Sequence, residues 1–384
     1  MIQEQLFDFD TIIDRISTSS VKWGVYHDRD IIPLWVADMD FKSPPAVLKA
    51  LHHRIDQDVF GYTMASRELT ETLISFLSQT YHWQVPSNSI VWLPGLVTGL
   101  NLCCRAVGNS GDEVLTTTPI YPPFLSAPKL SDRKLVTVSL INNNGHWELD
   151  FVALEKAITA KTKLLLFCNP YNPVGRVFTK AELLAVANLA IKHDLIICSD
   201  EIHAGLILDS DKAHIPMASL GSEISERTIT LMAASKTYNI PGLGCSFAII
   251  SNEKLRKKFQ EQMDGIVPFV NALGFVATNA AYKDGESWRR ALIQYLRINR
   301  DIVMQRLAKI PQIKATHVEG TYLAWLDARD LKLKNPAQFF ESIGVGLTDG
   351  DEFGTPGFLR INFGCSRILL ERALERIETG LKNI

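Results

Sequence analysis

The middle of the chain alternates between short apolar runs and longer stretches whose apolar residues recur at helical spacing. "SIVWL" (89–93) leads into an apolar helix from about Leu96, and "DEVLTT" (112–117) leads into the Pro-rich turn "TPIYPPF". "TKLLLFC" (162–168) precedes "NPYNPVGR", "LIICS" (195–199) ends at Asp200, and "TITLMA" (228–233) ends just before Lys236. Short β-branched runs separated by helical stretches predict an α/β fold, with a mostly parallel sheet covered by helices on both faces. Thr179 and Glu182, three residues apart, predict a capping box at the start of one of these helices. From about Glu286 the pattern changes to one long helix, "ESWRRALIQYLRINRDIVMQRLAKI", followed by strand candidates at "TYLAWLDA" and "GFLRINF". The division expected is an N-terminal segment, 1–45, packing on the small domain, a large domain at 46–285 and a smaller α+β domain at 286–384.

Composition narrows the function classes. With 384 residues, 46% of them hydrophobic, the chain can bury a large core in two or three domains. Forty Lys plus Arg against 42 Asp plus Glu leave a formal charge of −2, without a basic run dense enough to follow a phosphate backbone, which argues against nucleic acid as a partner. The start, "MIQEQLFDFDTIIDRIS", has acids where a signal peptide needs a basic region, and no stretch approaches about 18 uninterrupted apolar residues, so the expectation is a cytoplasmic protein without a membrane span. Six cysteines without a CxxC pair read as reduced core residues, and the histidines lack metal-ligand spacing, so no metal is expected.

In open α/β sheets, ligands bind outside the carboxyl ends of the strands. Asn172, Asp200 and Lys236 each follow such an end. Singly, each has a plain structural role, as a turn residue, a helix cap or a solvated lysine. Together, an amide, a carboxylate and an amine at one rim match the needs of a pyridoxal phosphate (PLP) site. Lys236 lies in "MAASKTYNIPGLGCSF" (232–247), among small and apolar residues that disfavour the ammonium and leave the amine free to form a Schiff base with the cofactor aldehyde. The carboxylate would keep the pyridine nitrogen protonated, and the amide would donate to the phenolate oxygen. "GVGLTDG" (344–350) contains Gly-x-Gly but does not open a βαβ unit, so the expectation there is a flexible loop near the substrate entrance and not a dinucleotide site.

"NPYNPVG", "SDEIH", "SKTYNIPGL" and "RINFG" occur in the order and rough spacing of fold-type I PLP enzymes of the aminotransferase class I/II group, which the chain resembles from about Trp35 to Arg367. "LWVADMDF", "FGYT", the "PG" before the phosphate loop, "DEIH" and "GFLRINFGCSR" resemble the cystathionine β-lyase, or carbon–sulfur lyase, branch of that group. The resemblance implies a PLP-transferase fold whose large domain carries a seven-stranded sheet. It implies Lys236 as the PLP lysine and Cα base, Asp200 against the pyridine nitrogen, and Asn172, helped by His203, against the phenolate oxygen. Tyr121 would stack on the ring, the backbone amides of Leu96 and Val97 with the Ser235 hydroxyl would hold the phosphate, and Tyr62 would reach the phosphate of the neighbouring subunit in a homodimer. Arg360 would clamp the substrate carboxylate, with Asn172 and backbone at Ala37 beside it. Aminotransferases of the group usually carry a phosphate-binding arginine eight residues after the lysine; here that position is Gly244. The activity implied is α,β-elimination of L-cystathionine or a related sulfur amino acid to thiol (homocysteine), pyruvate and ammonia. An aminotransferase is the alternative, and a regulatory binding protein that retains the fold is a second.

Overall fold

The computed structural model describes residues 7–382, so the first six residues of the expected N-terminal segment lie outside the described residues. The strands are β1 (Ile32–Pro33), β2 (Ile90–Leu93), β3 (Glu113–Thr118), β4 (Lys134–Ser139), β5 (Ile141–Asn143), β6 (His146–Glu148), β7 (Thr162–Cys168), β8 (Ile196–Asp200), β9 (Thr228–Met232), β10 (Ser246–Ile249), β11 (Lys314–Ala315), β12 (Leu323–Asp327), β13 (Val345–Gly346), β14 (Thr348–Asp349) and β15 (Phe358–Asn362). Seven of them form one sheet in the order β2-β10-β9-β8-β7-β3-β4. The pairs β9/β8, β8/β7, β7/β3 and β3/β4 are parallel, and only β10 runs antiparallel to its neighbours, β2 and β9. β3 and β9 are buried at every position, as expected for strands covered on both faces.

Local signals set the helices between the strands. Thr179 and Glu182 form the reciprocal capping box at the start of helix Lys180–Lys192. Asp150 and Asn252 cap Phe151–Ala157 and Glu253–Glu261 through their side chains. The long helix is Glu286–Leu307; it buries Trp288, Leu292, Leu296, Asn299, Val303 and Leu307, a stripe at spacings of three and four, against a four-stranded sheet in the order β11-β12-β15-β14.

The segment 344–350 departs from expectation. It is not a flexible loop but two short strands, β13 pairing with β1 and β14 pairing with β15, with Val345 and Leu347 buried. Gly346 serves close approach rather than mobility, since a Cβ there would lie 2.7 Å from the Tyr26 hydroxyl.

Through β1 the N-terminal segment pairs in parallel with β13, and residues 35–41 then cross to the rim of the seven-stranded sheet. Their carbonyls are held from both sides: Trp35 accepts from Arg360 and Thr348, Val36 and Asp38 from Asn362, Met39 and Phe41 from Asn239. Beneath them the fully buried Lys22 pairs with Asp40 at 2.7 Å, while Arg15 and the Trp23 indole also donate to Asp40. Removing one partner of a buried pair leaves the other charge uncompensated. Lys22→Met should therefore cost about 3–5 kcal/mol in denaturant unfolding. A loss below about 1 kcal/mol would show that Arg15 and Trp23 satisfy Asp40 without the lysine.

Candidate active site

The parallel strands direct their carboxyl ends to one rim. β7 ends at Cys168 and leads to Asn172, β8 ends at Asp200, and β9 ends at Met232 just ahead of Ser235 and Lys236. β2 leads to Gly95 and the helix Leu96–Ala106, and β3 leads to Tyr121. Because β10 runs the other way, its amino end brings Gly244 and Cys245 to the same rim. The result is a cavity of about 170 Å³ walled by residues from all of these ends, with Ala37 closing it from the N-terminal segment.

Among the described residues that line this cavity, Lys236 is the one cation. Burial, reinforced by the Arg360 charge, pulls its amine down to about 8, against the opposing pull of Asp38 and Asp200. Its Nζ donates to the Ala37 carbonyl at 2.5 Å. Across the cavity, Asp200 is 4% exposed, and its carboxylate receives one hydrogen bond among the described residues, from the Ile202 amide. Burial and the neighbouring Glu201 charge push its carboxyl up to about 7. A buried carboxylate that accepts from one backbone N–H and faces a cavity calls for a cationic N–H donor.

Arg360, on β15, is 4% exposed and has no carboxylate partner. Nη1 donates to Asn172 Oδ1 at 3.1 Å, Nη2 donates to the Trp35 carbonyl at 2.9 Å, and Nε has no partner. Burial lowers the guanidinium to about 10. A guanidinium so placed fits an incoming carboxylate, and its bond to Oδ1 leaves the Asn172 Nδ2 to donate toward the cavity. His203 is 2% exposed with Nδ1 unpaired; burial, with Lys236 and Arg360 close by, lowers it to about 3, so it is a neutral imidazole. Burial also raises the Tyr121 hydroxyl.

The helix Leu96–Ala106 begins without a side-chain cap, so its first amides, at Leu96 and Val97, face the cavity beside Ser235. That is an anion-binding arrangement of a helix N-terminus and a hydroxyl. Gly244 has φ +55°, and a Cβ there would lie 3.2 Å from the Pro94 carbonyl, so the backbone itself asks for glycine.

The structure thus brings Lys236, Asp200, Asn172, His203, Tyr121, Ser235, Leu96, Val97 and Ala37 together, with Arg360 joined to them through Asn172. Tyr62 is not among them: it is 99% exposed and lines a separate groove with Phe60 and Phe269. Sequence reasoning missed Tyr322 and Asp38. Tyr322 is 1% exposed and donates to the Ala37 carbonyl at 2.8 Å, and Asp38 acts on the charge of Lys236. Tyr322 carried no signal beyond its place in a strand-like run. Asp38 stood within "LWVADMDF", where a carboxylate in an apolar run was visible.

A family model described as aminotransferase class I and II matches residues 29–377. Among curated proteins, the chain is 34% identical over 387 residues to the cystathionine β-lyase PatB of Bacillus subtilis (strain 168), covering 97% of this chain and 100% of that one. Among solved structures, it is similar to OvoB, with 43% identity and a TM-score of 0.96 over 98% of this chain and 99% of that chain. It is likewise similar to cystalysin from Treponema denticola, which contains a pyridoxal 5'-phosphate cofactor, with 34% identity and a TM-score of 0.95 over 99% and 100% of the two chains.

Proposed function

The chain belongs to the aminotransferase class I and II family, and from that premise we propose that it is a PLP-dependent carbon–sulfur lyase acting on L-cystathionine or a related sulfur-substituted L-amino acid. The observation that carries this reading is the buried pair facing one cavity: an amine lowered to about 8 at Lys236 and a carboxylate without a cationic hydrogen-bond partner at Asp200. The residues fit PLP. Asp200 suits the pyridine nitrogen, Asn172 Nδ2 the phenolate oxygen, Tyr121 the ring face, and the amides of Leu96 and Val97 with Ser235 the phosphate.

When bound, PLP supplies an electron sink for the charge that develops when the substrate Cα loses its proton. Lys236 would hold the cofactor through its aldehyde, and its free amine would remove the substrate Cα proton as a positioned base. Arg360 holds the α-carboxylate so that this proton points at Nζ. The bond between Cβ and sulfur breaks with the sulfur leaving as thiolate, so that L-cystathionine and water give homocysteine, pyruvate and ammonia overall. The name carried by the Bacillus subtilis relative supports elimination over amino transfer. Incubation with L-cystathionine should release thiol and pyruvate without a keto-acid acceptor. Strict dependence on 2-oxoglutarate would replace this reading with amino transfer.

Arg360→Ala should raise KM for the amino acid by on the order of 10²-fold while lowering kcat less, since a charge-assisted fork to a carboxylate contributes about 1.5–3 kcal/mol. Unchanged KM and kcat would remove its role.

The working unit in this reading is a homodimer. Phe60 and Phe269 are exposed and line one groove with the fully exposed Tyr62, an apolar surface that suits a second copy. Sedimentation should give twice the chain mass, with Tyr62→Phe weakening cofactor retention. The six buried, unpaired cysteines support a cytoplasmic setting.

A further inference from the structure

The Ala37 carbonyl receives two donors, Lys236 Nζ at 2.5 Å and the Tyr322 hydroxyl at 2.8 Å, which take both of its lone pairs. That oxygen is held firmly. The carbonyls on either side of it, Val36 and Asp38, both accept from Asn362 Nδ2, at 2.6 and 2.7 Å. Tyr322 is held as well. It follows Thr321, which is fully buried at φ +78°, a conformation a β-branched residue adopts only when its surroundings impose it. The Thr321 amide donates to the Leu206 carbonyl, and its hydroxyl accepts from the Leu323 amide. Burial raises the Tyr322 hydroxyl well above its ordinary value, so it stays a donor throughout the working pH range.

We propose that the Ala37 carbonyl is the docking point of the Lys236 ammonium whenever that amine is free of the cofactor, and that the Tyr322 hydroxyl, drawing on the same oxygen, keeps the hold loose enough for the amine to shed its proton. This rests on Lys236 being the PLP lysine. A carbonyl that already accepts one hydrogen bond is a weaker acceptor for a second, so Tyr322 is a positioning residue that acts through Ala37. The other groups facing the amine are Asp38 and Asp200, which favour its charge, Arg360, which opposes it, and His203, which is neutral. Removing the Tyr322 hydroxyl leaves all of them in place and gives the whole oxygen to the ammonium.

The test is Tyr322→Phe, which keeps the ring. In the full-length chain without added cofactor, acetylation of Lys236 by acetic anhydride is followed against pH by peptide mass spectrometry. The wild-type midpoint should fall at about 8. In Tyr322→Phe it should rise by about half a pH unit, about threefold in proton affinity, with the plateau rate at high pH unchanged. In the holoenzyme the acid limb of kcat should move the same way. An unmoved or lowered midpoint overturns the proposal. A raised midpoint with a faster plateau also overturns it, because that reports water entering a loosened site. Borohydride reduction of the holoenzyme separates the two readings: label on a lysine other than Lys236 defeats the assignment of the PLP lysine, whatever the midpoint does.

Discussion

Lys236→Ala should lose elimination activity by on the order of 10⁴-fold or more, because in the proposed mechanism one side chain would serve as both the covalent anchor of the cofactor and the base at Cα. The variant should also lose the yellow colour of the bound aldehyde and the mass increment that borohydride fixes on the wild-type chain. The size of the effect follows from the surroundings of the amine. Ala233 and Ala234 precede it in buried positions, so the chain beyond β9 can approach the cavity closely, and burial with the Arg360 charge lowers the amine to about 8. At pH 7 to 8 roughly a tenth to a half of it is then neutral, against well under one part in a hundred for an ordinary lysine. Among the described residues, no other lysine or arginine lines the cavity to take over. Elimination at more than a few per cent of the wild-type rate, or a chain that stays yellow with borohydride label elsewhere, would sink the assignment.

The residues legible from the sequence are those whose role is local to a strand end. Asp200 ends β8, Asn172 and Lys236 lie just beyond the ends of β7 and β9, and a parallel sheet places such positions side by side whatever the rest of the chain does. The helix caps at Thr179 and the buried stripe of Glu286–Leu307 were legible for the same reason, since their partners lie within one or two turns. What stayed hidden depends on partners distant in sequence. Lys22 reads as a surface lysine until Asp40 and Arg15 close over it. Tyr322 reads as a strand aromatic until its hydroxyl meets Ala37, from the other end of the chain. The loop expected at 344–350 becomes strand because β1 and β15 supply edges that its own residues do not announce. Gly244 gains a second meaning: the sequence shows a missing arginine, and the structure shows a left-handed backbone pressed against Pro94, where any side chain is strained.

Asp200→Asn should reduce turnover by on the order of 10³-fold, the scale of losing a preorganised charge at a site where charge develops. Its second signature is in stability. In the chain alone, burial raises the Asp200 carboxyl from 3.8 to about 7. A carboxyl that binds its proton more tightly folded than unfolded stabilises the folded chain below the unfolded value, and that contribution is lost as pH rises through about 7. In the proposed reading a protonated pyridine nitrogen against the carboxylate would remove the cost of carrying this charge buried, so the cofactor would relieve most at the pH where the bare carboxylate is most expensive. The rise in Tm on adding PLP should therefore be larger at pH 8 than at pH 6 in the wild-type chain. Part of that increase comes from the loss of the Lys236 proton and survives in Asp200→Asn, while the remainder should vanish there. An equal pH dependence of the PLP-induced Tm rise in the two chains would take Asp200 away from the pyridine nitrogen and leave the cavity without a group to hold that proton.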